Sequence, residues 1–258
     1  MKKRNVLTVI GFVISILLLY LSLKGIKFQE ILATLKKSDM RLMFVPLVFI
    51  LISSMLCAFR WSKIAGNDVG FRDAFIALLI GLFINNVLPA RIGEIARGYV
   101  LSKKKGLSFT YSLSTVLIDR FFDLISLLLI TFLFFPKHNL PPKVSQGIYL
   151  LIALLIICAI MMIVLSRETF ANRLSDRLIR IQKPFFLKFA KRIVEIQQNL
   201  KRINSPLNLL FFIGIATITW LSMSTALYFT TVALGISIQF IYLPFVCALL
   251  NMGITIPS

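Results

Sequence analysis

The sequence predicts an all-α fold, a polytopic bundle of about six transmembrane helices with one re-entrant segment. Three observations predict it. Hydrophobic residues make up 58% of the 258 and charged residues only 15%, against about 45–50% and about 25% in soluble domains. Mean hydropathy is +0.89. The apolar residues are also clustered: Val6–Leu23 and Ile148–Leu165 each run 18 residues without a charge, long enough as helix to cross a hydrocarbon core about 30 Å thick. Finally, 29 Lys and Arg face 10 Asp and Glu, and the basic residues sit mainly between the apolar runs, as positive-inside retention requires. A soluble globular enzyme and a disordered chain are excluded. Nucleic acid is not an expected partner, because basic surface here lies against a bilayer.

The first span is expected at about 6–23, after Lys2, Lys3 and Arg4. It runs into Lys24 without a small-residue cleavage site, so it reads as a retained anchor rather than a signal peptide. Phe28–Lys37 is too short and polar to span and suits a helix in the interface. A second span covers about 42–59, with Arg60 and Trp61 closing it at headgroup level. A third apolar run, about 73–88, ends at Asn85-Asn86-Val87-Leu88-Pro89. Its shortness, with Gly81, Asn85, Asn86 and Pro89 near the deep end, predicts a segment that enters and leaves on one side. Broken backbone at membrane depth is tolerated only under a cover of protein or water. A span at about 108–135 is interrupted by Asp119, Arg120 and Asp123. Pro136, Pro141 and Pro142 mark a loop, and further spans follow at about 147–165, 208–230 and 240–256.

Residues 167–203 form the one sizeable extramembrane segment, a basic, amphipathic, cytoplasmic helical loop within a single integral membrane domain, 1–258. Ten basic residues there face Glu168, Asp176 and Glu195. Phe185, Phe189, Ile193, Ile196, Leu200 and Ile203 recur at helical spacing as one stripe. That stripe suits an anionic leaflet, with docking of a protein partner as the alternative. Taking 167–203 as cytoplasmic makes 136–146 external and 89–106 cytoplasmic. The N-terminus is then inside if 73–104 is re-entrant and outside if 73–88 crosses, and basic-residue counts do not separate the two.

The candidate site lies in 85–123. It gathers Arg91, Glu94, Arg97, Asp119, Arg120 and Asp123 beside or within apolar sequence, with Asn85 and Asn86 just before. Charges at such depth cost roughly 2.5–3.5 kcal/mol each, so they pair and face a cavity. Asp119 and Asp123 share a helix face, while Arg120 points elsewhere, toward Glu94 or a lipid phosphate. One reading is a neutral ion-pair network that only holds helices together. The favoured reading is a polar cavity for a charged headgroup, since the planar guanidinium fork takes phosphate bidentately. The asparagines add hydrogen bonds to that cavity or serve as turn residues before Pro89.

Catalysis finds no support. There is no HExxH, GxSxG or Gly-rich phosphate loop. Cys57, Cys158 and Cys247 are far apart in apolar runs, and His138 stands away from them, so no metal, cofactor, redox pair or disulfide framework is expected. Asp119 and Asp123 share one helix beside an arginine, unlike the facing carboxylates of an aspartyl protease.

The pattern of Gly93-Glu94, Arg97, Gly106 and Ser108, Asp119-Arg120 and Asp123 resembles the flippase-like membrane family, also called the lysylphosphatidylglycerol synthase transmembrane region. The resemblance covers nearly the whole chain; where the family usually carries Glu, this sequence has the shorter Asp119. It implies a multi-pass protein of the inner (plasma) membrane that binds lipids or moves them between leaflets. Some relatives carry a fused soluble aminoacyltransferase domain; nothing in 1–258 resembles one, so no enzyme activity is expected.

Asn251-Met252-Gly253-Ile254-Thr255-Ile256-Pro257 echoes the break at 85–89. Two apolar helices broken at Asn and Pro suit an inverted repeat with a site between the breaks, and Ser258 then reads as an early end to the second copy. The expected function is translocation or binding of phospholipid, anionic phospholipid above all, without covalent chemistry. A non-transporting scaffold with a partner at 167–203 and a proton-coupled solute transporter are the competing readings.

Overall fold

The computed structural model describes residues 38–87, 91–134, 167–182, 184–203 and 205–255, with single positions elsewhere. The expected first span, the interface helix at 28–37, the loop at 136–146 and the fifth span lie outside the described residues or keep only isolated positions. Among the described residues every regular element is helical: α1 (Phe44–Ala65), α2 (Phe71–Val87), α3 (Gly93–Lys105), α4 (Phe109–Leu133), α5 (Glu168–Arg180), α6 (Pro184–Ile203), α7 (Pro206–Ala233), a 3-10 turn (Phe240–Tyr242) and α8 (Leu243–Thr255). Two of them, α1 and α7, are long and apolar enough to cross a membrane. At 25 residues α4 has the length, but Asp119, Arg120 and Asp123 interrupt its apolar run.

The two long apolar helices pack antiparallel. Phe49 stacks on Phe229 with ring centres 5.8 Å apart, and Phe59 meets Phe211 edge-on at 6.4 Å. Ser222 Oγ crosses to the Phe49 carbonyl at 3.0 Å. The α4 helix is central, packing on α1, α3, α6, α7 and α8. Each long helix is followed by a shorter one, and Asn86 and Asn251 make the same bond near their ends. Nδ2 donates to the carbonyl four residues back, at 3.0 Å in one case and 2.9 Å in the other.

Segment 71–105 is a helical hairpin. Asp73, in the first turn of α2, pairs with Lys104 and Lys105, in the last turn of α3, at 2.8 and 3.2 Å. Hydrogen bonds from those two lysines hold the Asp73 carboxyl below its ordinary range. Both ends of the segment therefore lie at one end of the bundle, the geometry that a re-entrant segment requires. Gly81 and Gly93 let the two backbones touch: a Cβ on Gly93 would stand 2.0 Å from the Gly81 carbonyl oxygen. The expected glycine-serine step has a local purpose. Gly106, at φ 66, ends α3 in the left-handed region, and Ser108 caps α4 by accepting the Tyr111 amide at 3.0 Å.

Two sequence expectations need correction. Arg60 and Trp61 do not close a span at headgroup level. The α1 helix continues to Ala65, and both side chains are fully buried. Trp61 donates to Thr115 Oγ1 at 3.0 Å and packs among Ala65, Ala74, Ala77, Leu101 and Val116. The apolar stripe of 185–203 is not left free for a leaflet either. Its second half is taken up by the bundle, with Leu200 and Ile203 in one cluster with Ile64, Ile118, Phe122, Phe212 and Ala216. Burial against α4 and α7 removes that stripe from water as effectively as lipid would.

Polar contacts fix this docking. Asn199 Nδ2 donates to Ser114 Oγ at 2.8 Å, and Ser108 Oγ bonds the Glu195 carboxylate. Asn199→Leu should destabilise the protein by about 1–2 kcal/mol, because the Ser114 hydroxyl then loses a buried partner. Thermal unfolding in detergent measures it, and a change within about 0.5 kcal/mol would mean that apolar contact alone holds α6.

Candidate functional site

The short helix α3 brings Glu94 and Arg97 to one face, three residues apart. The central helix α4 brings Asp119, Arg120 and Asp123, and α1 adds Arg60. Between them the six groups close a ring in which opposite charges alternate. Arg60 Nη2 lies 2.8 Å from Asp119 Oδ1 and 2.7 Å from Asp123 Oδ1. Arg120 Nη1 meets Asp123 Oδ2 at 2.9 Å, and its Nε meets Glu94 Oε2 at 3.1 Å. Arg97 Nη2 closes the circuit, 2.9 Å from Glu94 Oε2 and 3.2 Å from Asp119 Oδ2. Three arginines and three carboxylates sum to zero, so each buried charge has two opposite neighbours. That arrangement offsets the desolvation that an isolated ion would suffer.

Neighbouring side chains seat the ring. Trp220 Nε1 donates to Asp123 Oδ1 at 3.3 Å, and the Trp61 ring covers the Arg97 guanidinium, Cζ to ring centre 4.8 Å. Among the described residues Arg60 Nη1 and Arg97 Nε and Nη1 have no hydrogen-bond acceptor, which leaves Arg97 leaning on the indole face. Asn85 Oδ1 accepts the Gly93 amide at 2.7 Å, satisfying an open donor at the α3 N-terminus. Its Nδ2 reaches Glu94 Oε1 at 3.5 Å.

Burial grades across the ring. The side chains of Arg60, Asp119 and Arg97 are 0%, 0% and 1% exposed, Asp123 is 7%, and Glu94 and Arg120 are 22% and 28%. One edge, Glu94–Arg120, is therefore open. Around it the surface is apolar, with Ile92 just before α3, Ile95 and Tyr99 on α3 and Leu117 on α4 all exposed. Arg91 stands half-buried beside that edge at φ 50, and it makes no ion pair among the described residues. Asp119 lies ten residues into α4, about 15 Å from its start at the lysine-rich end of the bundle. That is near half the thickness of a hydrocarbon core.

Of the sequence-expected residues, the structure joins Glu94, Arg97, Asp119, Arg120 and Asp123 directly and Asn85 through Glu94. Arg91 lies at the edge, and Asn86 caps its own helix. Arg97, expected to meet phosphate, is enclosed and already holds two carboxylates. Arg60 was missed. Its signal was present, as the one charge between Arg41 and Lys63, but a cation near a helix end reads as an interfacial anchor. Trp61 was missed for a similar reason, since an aromatic residue near a span end suits the headgroup belt, whereas Trp220 stands mid-run in 208–230 and carried no separate signal.

Known proteins agree with a membrane setting. The family described as Lysylphosphatidylglycerol synthase TM region matches residues 8–258. A UPF0104 membrane protein of Methanocaldococcus jannaschii is 26% identical over 168 residues, covering 62% of this chain and 65% of that protein. Another, from Methanothermobacter thermautotrophicus, is 26% identical over 231 residues, 81% of this chain and 68% of its own length. The glycosyltransferase AglD of Haloferax volcanii is 27% identical over 128 residues, 48% of this chain but 20% of that protein. The chain thus matches less than two thirds of the first of these relatives and only a fifth of the last. No solved structure matches.

Proposed function

The chain belongs to the lysylphosphatidylglycerol synthase TM-region family, a family of membrane proteins, and from that premise we propose that it binds a charged lipid headgroup and carries it between leaflets. It acts as a multi-pass protein of the plasma membrane, with about six spans and the 71–105 hairpin re-entrant. One observation carries the reading. The charge ring is open at Glu94–Arg120, and that edge faces apolar surface, so a headgroup reaches it sideways while its acyl chains stay in lipid.

In this mechanism a lipid phosphate competes with Glu94 for the Arg120 guanidinium, whose planar fork accepts it, and Arg91 adds a second cation. Glu94 is released toward Asn85 or toward a cationic headgroup group. Arg60, Arg97, Asp119 and Asp123 keep their mutual pairs and hold the edge in place. No bond is made or broken, and no cofactor takes part.

The test is leaflet exchange of headgroup-labelled phospholipid in proteoliposomes. Wild type should exceed the protein-free rate, and Arg120→Gln and Arg91→Gln should each lower the gain at least about tenfold with the fold intact, the equivalent of about 1.4 kcal/mol on the rate-limiting step. A second reading rests on the completeness of the ring: six fully paired charges hold three helices without any ligand, as in a non-transporting scaffold. Exchange at the protein-free rate in wild type, with unchanged folding, would favour that reading.

A further inference from the structure

The α5–α6 hairpin carries an exposed apolar surface of its own, away from the ring. The two helices pack on each other and turn at Ile181 and Gln182, where Gln182 takes φ 54. From Glu195 onward α6 is held by α4 through Ser108, Asn199 and the buried Leu200 and Ile203. Among the described residues the turn carries no such contact and presents apolar side chains to the outside, with Ile179 46%, Ile181 45% and Leu187 38% exposed. Exposed arginines, Arg177 and Arg180, alternate with them.

This alternation identifies what covers the turn. A protein-docking patch gathers its apolar residues centrally and moves charge to the rim. Among the described residues every exposed apolar side chain near the turn has an arginine within two residues, apart from Leu187. That pattern places apolar groups at the acyl boundary and guanidinium groups at phosphate level. Charge selects the kind of leaflet. The segment 167–192 holds eight basic residues against Glu168 and Asp176. Lys63, Arg72 and Lys103–Lys105, all at the same end of the bundle, extend the positive surface.

We propose that the α5–α6 turn docks on the anionic headgroup surface of the leaflet at the lysine-rich end of the bundle, with Ile179 and Ile181 inserted and Arg177 and Arg180 on lipid phosphates. This contact depends on the protein residing in a membrane and not on headgroup passage at the ring, so either assignment survives failure of the other.

Trypsin provides the test on the unaltered full chain, reconstituted in nanodiscs that expose both faces. One set is phosphatidylcholine alone, the other phosphatidylcholine mixed with phosphatidylglycerol, with rates normalised to a soluble reporter in the same sample. Cleavage after Arg177 and Arg180 should be several-fold slower in the anionic discs, and high salt should remove the protection. Equal rates in the two discs, whether fast or slow, overturn the proposal; equal slow rates indicate cover by protein instead of lipid. As a second measurement, the indole of Ile181→Trp should shift its emission to the blue, relative to wild type, only in anionic discs. Adding Arg177→Gln and Arg180→Gln should abolish the shift, and a shift that survives both overturns the role given to the arginines.

Discussion

Replacing Asp119 with Asn is expected to cost about 3–5 kcal/mol of stability, the largest effect of any single change in this protein. The carboxylate accepts from Arg60 and Arg97 in a fully buried setting. An amide of the same shape removes the charge but leaves both guanidinium groups where water cannot rehydrate them. The loss should be largest on the buried side of the ring and smaller at its open edge, so Arg120→Gln should cost no more than about half as much, since Arg120 is 28% exposed. Removing an opposite pair, Asp119→Leu with Arg60→Met, should cost less than the sum of the two single changes by at least about 1 kcal/mol, because no net charge remains stranded. Equilibrium unfolding in detergent supplies the four values of that cycle. A stability for Asp119→Asn within about 0.5 kcal/mol of wild type would show that the ring does not hold the fold.

Gly93→Ala is the second large effect, expected at about 3 kcal/mol, the upper end of the range for overpacking. The added methyl would stand 2.0 Å from the Gly81 carbonyl oxygen and 2.5 Å from Asn85 Oδ1. Neither oxygen is a flexible tip: the first is helix backbone, and the second holds the Gly93 amide. The hairpin must then splay, and because Glu94 and Arg97 follow within the next turn, the ring opens with it. Gly98→Ala is the matched control. Its nearest neighbour, in Leu113, would be 3.5 Å away, ordinary contact, and the gain in helix propensity makes it neutral or slightly stabilising. If the two variants unfold at the same temperature, the close approach of α2 and α3 is not what positions the site.

Much of this architecture was legible beforehand, for reasons visible in individual elements. The apolar runs at 73–88 and 108–135 correspond to α2 (Phe71–Val87) and α4 (Phe109–Leu133), because glycines and charges bound them sharply. The reversal of the chain between α2 and α3 was legible because Gly81, Asn85 and Asn86 cluster beside it. The reach of α1 past Arg60 was not. Hydropathy falls at Arg60 and Lys63, and a linear reading ends the span there, whereas the helix continues because its arginine turns inward to carboxylates about 60 residues away in sequence. The helical spacing at 185–203 agrees with α6 (Pro184–Ile203), but the leaflet expected beneath its stripe gives way, over Ile196, Leu200 and Ile203, to α4 and α7. Periodicity reports that a face is buried, not what buries it.

What the sequence by itself determined, then, is the class of the molecule and the chemistry of its centre. Apolar runs of span length require a membrane, and arginines and carboxylates set in such runs must neutralise one another because isolated charge there is too costly. What only the tertiary structure decided is which arginine completes the set. Arg91 and Arg60 balance the sum equally well, so charge neutrality cannot choose between them. The choice falls to helix packing: α1 crosses α4 where Arg60 meets both Asp119 and Asp123, and Arg91 is left at the open edge. Coulomb attraction at hydrogen-bond distance depends on that crossing, and no count of residues along the chain contains it.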